Sequence, residues 1–70
     1  MRYLVVIEEA EQGFGAYVPD LPGCIAAADS RAEVPRLIHG AIEFHLDGLR
    51  QDGLPIPVPH SSPELVEVSP

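Results

Sequence analysis

Seventy residues suffice for one small domain, which buries only about 60% of its unfolded surface and so has a thin margin of stability. A lone cysteine excludes an intramolecular disulfide, and three widely spaced histidines give no metal-ligand pattern, so self-association remains as a source of extra stability. A formal net charge of −7 with only four basic residues excludes a basic surface for nucleic acid.

The N-terminal sequence MRYLVVIEEA predicts neither a secretory leader nor a membrane anchor. Its apolar run ends after five residues at two glutamates, whereas a membrane-spanning helix needs about 20 apolar residues. We therefore expect a cytoplasmic protein with no membrane partner.

The first half of the chain predicts three β-strands in a meander. YLVVI at residues 3–7 is rich in β-branched and aromatic side chains and apolar on both faces, which predicts a central strand covered on both sides. A short acidic turn leads to the second strand, FGAYV at residues 14–18, and the corner VPDLPGC leads to the third, CIAAA at residues 24–28. Such short connections favour antiparallel pairing of neighbours.

A helix follows the meander. Ser30, with Glu33 three residues later, is typical of a capping box, and apolar side chains then recur at helical spacing. Pro35 predicts an irregular first turn, because it removes a backbone hydrogen bond. Gly53 lies where a C-terminal cap is expected.

Alternating prolines at positions 55, 57 and 59 predict an extended connector to a last strand, ELVEV at residues 64–68. The pattern predicts a single α+β domain over residues 1–70 with the element order β-β-β-α-β. A right-handed crossover places the last strand parallel to the first and beside it, giving the sheet order 3-2-1-4 with the helix on one face. Because one helix covers only one face, we expect a dimer or tetramer.

The corner VPDLPGC is interpreted first as a rigid turn. Pro22 and Gly23 fit the centre of a type II turn, in which glycine supplies a positive φ. The alternative is that Asp20 and Leu21 protrude and contact a partner.

Two faces are candidate interaction surfaces. Glu43 and Asp47 lie on the polar side of the helix, where they are either simply solvated or present charge to a basic partner. Phe44, at the margin of the apolar stripe, and Val66 and Val68 of the last strand are expected at a contact between subunits.

Two chemically reactive side chains are expected to be structural. His45 projects into the apolar stripe of the helix, which predicts a core or interface histidine, with a ligand or pH-sensing role as the alternative. Cys24 has no cationic neighbour in the sequence to lower its pKa, so we expect an inert thiol.

The run GFGAYVPDLPGCIAAADS, the following helix and the exit DGLPIPVP resemble the N-terminal domain of HicB-like antitoxins over nearly the whole chain. The most specific parts are the PDLPGC corner, the step into the helix at Asp29 and Ser30, and the LPIP exit. The resemblance implies a partial ribonuclease-H-like fold without a working nuclease site, and self-association. It also implies a partner, a small basic HicA-like toxin that cleaves mRNA, whose RNA-binding and catalytic surface the antitoxin covers.

Family members usually carry a C-terminal DNA-binding segment, and this sequence ends at Pro70 before one. Because this segment is missing and the net charge is acidic, we expect no direct contact with nucleic acid. The spacing of the histidines indicates no metal or cofactor, and the absence of a working nuclease site that the resemblance implies leads us to expect no enzymatic activity. Two alternatives stay open. One is an oligomeric interaction or scaffold module without a toxin partner; the other is a residual metal-dependent nuclease using Glu8, Asp20 and Asp29.

Overall fold

The computed structural model describes residues 1–70 and begins with a β-meander. The strands β1 (Val6–Ala10), β2 (Gly13–Tyr17) and β3 (Ile25–Ala28) form one antiparallel sheet in the order β1-β2-β3. Ile7 pairs with Ala16, and Ala16 pairs with Ala26, so these three side chains point to the same face. The helix α1 (Val34–Gln51) packs on this face, mainly against β3 and β2.

The core is small and is centred on the corner between β2 and β3. Seven apolar side chains are buried, and they are Ala16, Val18, Leu21, Cys24, Val34, Ile38 and Leu46. Three of the seven, Val18, Leu21 and Cys24, belong to the corner itself. The sheet and the helix packed on it confirm the α+β class. The corner contributes to the core as well as turning the chain.

Two consecutive β-turns build the corner. The N–H of Leu21 donates to the carbonyl of Val18, and the N–H of Cys24 donates to the carbonyl of Leu21, each at 3.0 Å. Gly23 has a φ of 87°, as the third position of a type II turn requires. The N–H of Val18 closes the corner by donating to the carbonyl of Cys24 at 3.2 Å. The predicted type II turn at Pro22 and Gly23 is confirmed.

The helix begins irregularly, as Pro35 predicted. A 3-10 turn (Arg31–Glu33) precedes α1, and Pro35 lies in the first turn of α1. Backbone N–H groups of the first turn have no partner within the helix, so Pro35 costs α1 no hydrogen bond. The capping box is only partly formed, because the hydroxyl of Ser30 lies 3.2 Å from the carboxylate of Glu33 and caps no backbone N–H. No helix, α1 included, has the length and apolarity that a membrane crossing requires.

The helix ends at the predicted glycine cap. Gly53 has a φ of 69°, and its N–H donates to the carbonyl of Arg50 at 3.1 Å. The N–H of Leu54 reaches back to the carbonyl of Leu49 at 2.9 Å. This pair of bonds is a Schellman motif, which satisfies carbonyls that the helix end would otherwise leave free.

The sheet differs from the prediction in its number of strands. Residues 64–68, predicted as a fourth strand, pair with nothing, and Leu65, Val66 and Val68 are 95%, 74% and 78% exposed. The single chain therefore does not show the order 3-2-1-4. An apolar alternating pattern indicates that a segment can pair, but not which edge it pairs with. The partial ribonuclease-H-like fold stays a prediction.

The position of the first strand also differs. β1 begins at Val6 rather than at Tyr3, and it is an edge strand that pairs only with β2. Its apolar residues are half-buried, so the predicted cover on both faces is not present in one chain. Val6 and Leu4 belong to the face that α1 does not cover.

The C-terminal residues 62–70, which we call the arm, are all exposed. They contribute to a long molecule of 48 × 27 × 16 Å. The radius of gyration is 13.9 Å, against about 11 Å for a compact domain of this length.

Candidate functional site

The outer face of α1 carries the two acids predicted to meet a partner. The side chains of Glu43 and Asp47 are one helical turn apart and are 68% and 66% exposed. Each is paired within the helix: Glu43 Oε1 lies 3.0 Å from His39 Nδ1, and Arg50 Nη1 donates to Asp47 Oδ1 at 3.0 Å. Such exposed pairs are worth only about 0.2–0.5 kcal/mol. A partner's cation can therefore displace them at little cost.

Phe44 is 83% exposed and lies beside the two acids, one residue after Glu43 and three before Asp47. Gly40 and Gly48 are one turn before and one turn after it on the same face. A Cβ atom at either glycine would meet no atom within 4 Å, although each glycine costs the helix up to about 1 kcal/mol relative to alanine. Nothing inside the chain requires these glycines, and their bare backbone keeps the surface around Phe44 open.

We call this surface the Phe44 face, and its members are Gly40, Glu43, Phe44, Asp47 and Gly48. It combines an exposed aromatic ring, two carboxylates and two positions without side chains. An aromatic side chain with open space around it can enter a partner's pocket, and the carboxylates can meet cations at the rim. The sequence pattern identified the acids but placed Phe44 only at the margin of the apolar stripe.

Asp20 and Leu21, predicted as protruding contacts, are instead 5% and 0% exposed. Leu21 packs in the core, and Asp20 binds the C-terminal segment of its own chain. Its Oδ2 accepts hydrogen bonds from the N–H groups of His60 and Ser61, both at 2.9 Å, and its Oδ1 accepts one from the hydroxyl of Ser61 at 2.6 Å. Neither side chain is open to a partner in this structure, because their surroundings already use them.

The hydrogen bonds also fix the charge of Asp20. The hydroxyl of Ser61, then the N–H groups of Ser61 and His60, lower the pKa of the Asp20 carboxyl from 3.8 to about 2. His60 Nε2 lies 3.2 Å from Oδ1 and acts in the same direction when protonated. A second tie holds the same segment, since the hydroxyl of Tyr3 donates to the carbonyl of Pro57. Nothing in the sequence pattern indicated either contact.

Residues 3–69 match the profile of the HicB_like antitoxins of bacterial toxin–antitoxin systems. The chain belongs to this family. The resemblance carried by the PDLPGC corner and the LPIP exit is therefore confirmed.

Two relatives of this HicB-like chain differ in how much of their length it spans. It is 37% identical over 57 residues to a 14.9 kDa protein from the rep–hol intergenic region of Haemophilus phage HP1, covering 81% of this chain and 43% of that protein. It is 45% identical over 49 residues to a UPF0150 protein of Helicobacter pylori strain J99, covering 70% of this chain and 68% of that protein. The chain thus spans less than half the length of the phage relative.

Two solved structures share the fold of the HicB-like chain. A chain of the HicA3 and HicB3 toxin–antitoxin complex superposes with a TM-score of 0.76 at 31% identity, covering 87% of this chain and 71% of that one. The crystal structure of the antitoxin HicB3 superposes with a TM-score of 0.73 at 31% identity, covering 87% of this chain and 45% of that one. The three-stranded α+β domain is therefore similar to known HicB antitoxin structures.

The carboxylates considered for a nuclease do not assemble into a metal site. No three side chains among histidine, cysteine, aspartate and glutamate come together in the HicB-like chain, so Glu8, Asp20 and Asp29 form no such group. The oxygens of Asp20 are moreover occupied by Ser61 and His60. The geometry gives no support to metal-dependent cleavage.

The remaining side chains that the sequence pattern singled out differ in how far they are buried. Cys24 is 3% exposed, and burial raises the pKa of its thiol, which agrees with an inert role. His45 is half-buried rather than enclosed in the core. Val66 and Val68 lie on the arm, away from the Phe44 face in sequence and open to solvent.

Proposed function

We propose that this HicB-like protein is an antitoxin that binds a small basic HicA-like toxin through the Phe44 face and blocks its cleavage of mRNA. The observation that carries the proposal is an aromatic side chain, 83% exposed, beside two exposed carboxylates on the outer side of α1. Aromatic residues supply much of the energy of protein interfaces, and complementary charge speeds the encounter. The similarity to HicB3, known in a complex with HicA3, supports this partner.

The proposed mechanism is steric and electrostatic rather than catalytic. RNA phosphates and carboxylates compete for the same cations, so Glu43 and Asp47 can occupy basic side chains that the toxin uses for mRNA. Phe44 fills an apolar recess beside them, and the body of the antitoxin keeps RNA away from the toxin's active site. We place this interaction in the cytoplasm, where mRNA is cleaved, and assign the antitoxin itself no enzymatic step.

The charge of the Phe44 face favours a toxin over a second antitoxin as its partner. The position of Phe44 at the margin of the apolar stripe predicted a contact between subunits. A two-fold contact through this face would bring Glu43 and Asp47 of one copy against the same acids of the other, and the chain carries a net charge of −7. A basic partner meets no such repulsion, so we assign Phe44 to the toxin interface.

The test is a titration of RNA cleavage by a purified HicA-like toxin encoded beside this protein. We expect inhibition that saturates at a fixed stoichiometry, and an affinity at least about tenfold lower for Phe44→Ala. Glu43→Gln with Asp47→Asn is expected to slow association at low salt more than it speeds dissociation. Ile25→Ser is the matched control, because Ile25 is 70% exposed but lies on the sheet face opposite α1.

Different outcomes contradict different parts of the proposal. If the wild-type protein neither binds nor inhibits the toxin, or if no such toxin is encoded with it, the antitoxin function is wrong. If the wild-type protein inhibits but Phe44→Ala inhibits equally well, the function stands and the assigned face is wrong.

A further inference from the structure

A pocket of about 280 Å³ lies where the ends of the strands meet the start of α1. Its apolar walls include Phe14 of β2, Ala28 of β3 and Leu37 of α1, which are half-buried. Three exposed polar side chains also line it, and they are Gln12, Asp29 and Glu33. The pocket, which we call the Asp29 pocket, therefore has an apolar interior and an acidic opening.

The two carboxylates of the Asp29 pocket have no cation of their own chain beside them. None of the ion pairs within the chain includes Asp29 or Glu33. No basic side chain lines the pocket, and Glu33 accepts a hydrogen bond from the neutral hydroxyl of Ser30 at 3.2 Å. The negative charge at the opening is therefore free to attract a cation from outside the chain.

The size and chemistry of the pocket favour a guanidinium group on an apolar stem. Its volume lies just below the range of about 300–1,000 Å³ that small-molecule sites occupy, so it suits one long side chain better than a cofactor. A guanidinium can lie against the ring of Phe14 and donate hydrogen bonds to the carboxylates of Asp29 and Glu33. The methylene stem of an arginine can pack on Leu37.

The Asp29 pocket and the Phe44 face lie along one line of α1. Seven residues separate Leu37 from Phe44, which is nearly two full turns, so the two side chains point in almost the same direction about 10 Å apart along the helix. Gly40 lies between them, and its lack of a side chain leaves this stretch of surface uncovered. A standard interface covers roughly 800 Å² of each partner, which is enough to include both.

We propose that the Asp29 pocket receives an arginine side chain of the toxin that binds the Phe44 face. This inference rests on the proposed antitoxin function and adds a second contact to it. Phe44 enters the toxin and the arginine enters the antitoxin, so the two contacts together fix how the proteins are oriented. An arginine held by Asp29 and Glu33 cannot bind an RNA phosphate at the same time.

The first test is inhibition of RNA cleavage by the purified toxin, with Asp29→Asn and Glu33→Gln combined in one variant. We expect an affinity for the toxin at least about tenfold lower, with a weaker dependence on salt. Glu8→Gln with Glu64→Gln is the matched control, because it removes the same charge from the sheet face opposite α1 and from the arm. Phe14→Leu keeps the apolar wall but removes the aromatic ring, and should also weaken binding.

Stability is measured beside affinity, because Glu33 directly precedes α1 and its charge also interacts favourably with the helix dipole. Asp29→Asn alone repeats the test if the double variant is unfolded. If the wild-type protein inhibits the toxin and the folded acid variant inhibits equally well, the antitoxin function stands and the pocket contact is wrong. A loss no larger than that of the charge-matched control also contradicts the contact. A wild-type protein that does not inhibit the toxin contradicts the proposed function and, with it, the toxin as the occupant.

The second test needs no toxin and uses n-propylguanidinium as a probe of the arginine side chain. The probe is titrated at constant ionic strength into the wild-type protein, and the backbone amide signals are followed by NMR. We expect saturable shifts at Phe14, Ala28 and Leu37, no such shifts with the neutral n-propylurea, and none in the Asp29→Asn and Glu33→Gln double variant. A guanidinium probe that shifts no amide of the pocket overturns the proposal. So does tighter binding of spermidine in the pocket with toxin inhibition unchanged in the acid variant, since the pocket then takes a free polyamine.

Discussion

The carboxylate of Asp20 accepts two hydrogen bonds from Ser61, which lies 41 residues later in the chain. One comes from the hydroxyl at 2.6 Å and the other from the backbone N–H at 2.9 Å. The bonds tie the C-terminal segment to the corner between β2 and β3, and so determine where the arm leaves the domain. The corner therefore both turns the chain and anchors its end.

The contact makes the C-terminal segment sensitive to acid. Since the folded pKa of Asp20 is about 2 and its ordinary value is 3.8, its contribution to stability is full above about pH 4 and is lost as the pH falls towards 2. We expect the amide of Ser61 to lose protection from hydrogen exchange over that range. Asp20→Asn should show low protection of Ser61 already at pH 6 and no further step in acid. A Ser61 amide that stays protected at pH 2 in the wild-type protein would contradict this.

Truncating the centre of the corner should destabilise the whole domain. Leu21 is fully buried, and removing such a side chain costs about 2–5 kcal/mol. Because a domain of this size has little stability to lose, we expect Leu21→Ala to be largely unfolded at 37 °C by circular dichroism. Ile25→Ala, at a 70% exposed position, should change the free energy of unfolding by less than about 0.5 kcal/mol. A Leu21→Ala protein as stable as the control would show that the corner is not central to the core.

Stability and partner binding should separate at the glycines of the Phe44 face. Gly48→Ala meets no atom within 4 Å, so we expect the free energy of unfolding to rise by about 0.5–1 kcal/mol. Toxin affinity should fall, because the added methyl group stands beside Phe44. Gly13→Ala is the contrasting variant: with a φ of 99° and the carbonyl oxygen of Ala28 in the way, it should destabilise the fold. Chemical denaturation and toxin titration of both variants give the two readouts, and an unchanged toxin affinity for Gly48→Ala would contradict the role of the bare backbone.

The thiol of Cys24 should report on unfolding rather than on function. Burial shields it and raises its pKa, so both access and thiolate formation are suppressed. We expect negligible reaction with a thiol reagent at pH 7.5 in the native protein and rapid reaction in denaturant. Fast labelling of the native protein would show that the corner opens readily.

Local features of this protein were predictable from its sequence, because their causes are local. Pro22 and Gly23 restrict the backbone to a type II turn, and Gly53 supplies the φ that ends α1. The charge of the outer helix face was equally readable, since Glu43 and Asp47 fall on one side of a regular helix. The irregular start of α1 was predicted from Pro35, but its expected cause was wrong, because Pro35 lies in the first turn and removes no helical hydrogen bond.

Features that depend on distant parts of the chain were not predictable in the same way. The Asp20–Ser61 contact leaves no periodic signal, and a carboxylate in a turn has the same sequence pattern whether it protrudes or is buried. Residues 64–68 have the sequence pattern of a strand but form no strand in the single chain. A strand forms only when it pairs with the edge of another strand, and the pattern does not identify that edge. Phe44 was placed at the margin of the apolar stripe by its position on the helix, and the pattern does not tell whether a ring there is covered or, as here, 83% exposed.

Binding of a small basic toxin by the Phe44 face can be measured by a capture experiment. Tagged wild-type protein and Phe44→Ala are each used to recover partners from a lysate of the source cells at low and moderate salt. We expect the wild-type protein to retain one small basic protein in stoichiometric amount, this protein to cleave mRNA once released, and Phe44→Ala to retain much less of it. Recovery of only its own oligomer would contradict toxin binding, and equal recovery of the toxin by both proteins would contradict binding through Phe44.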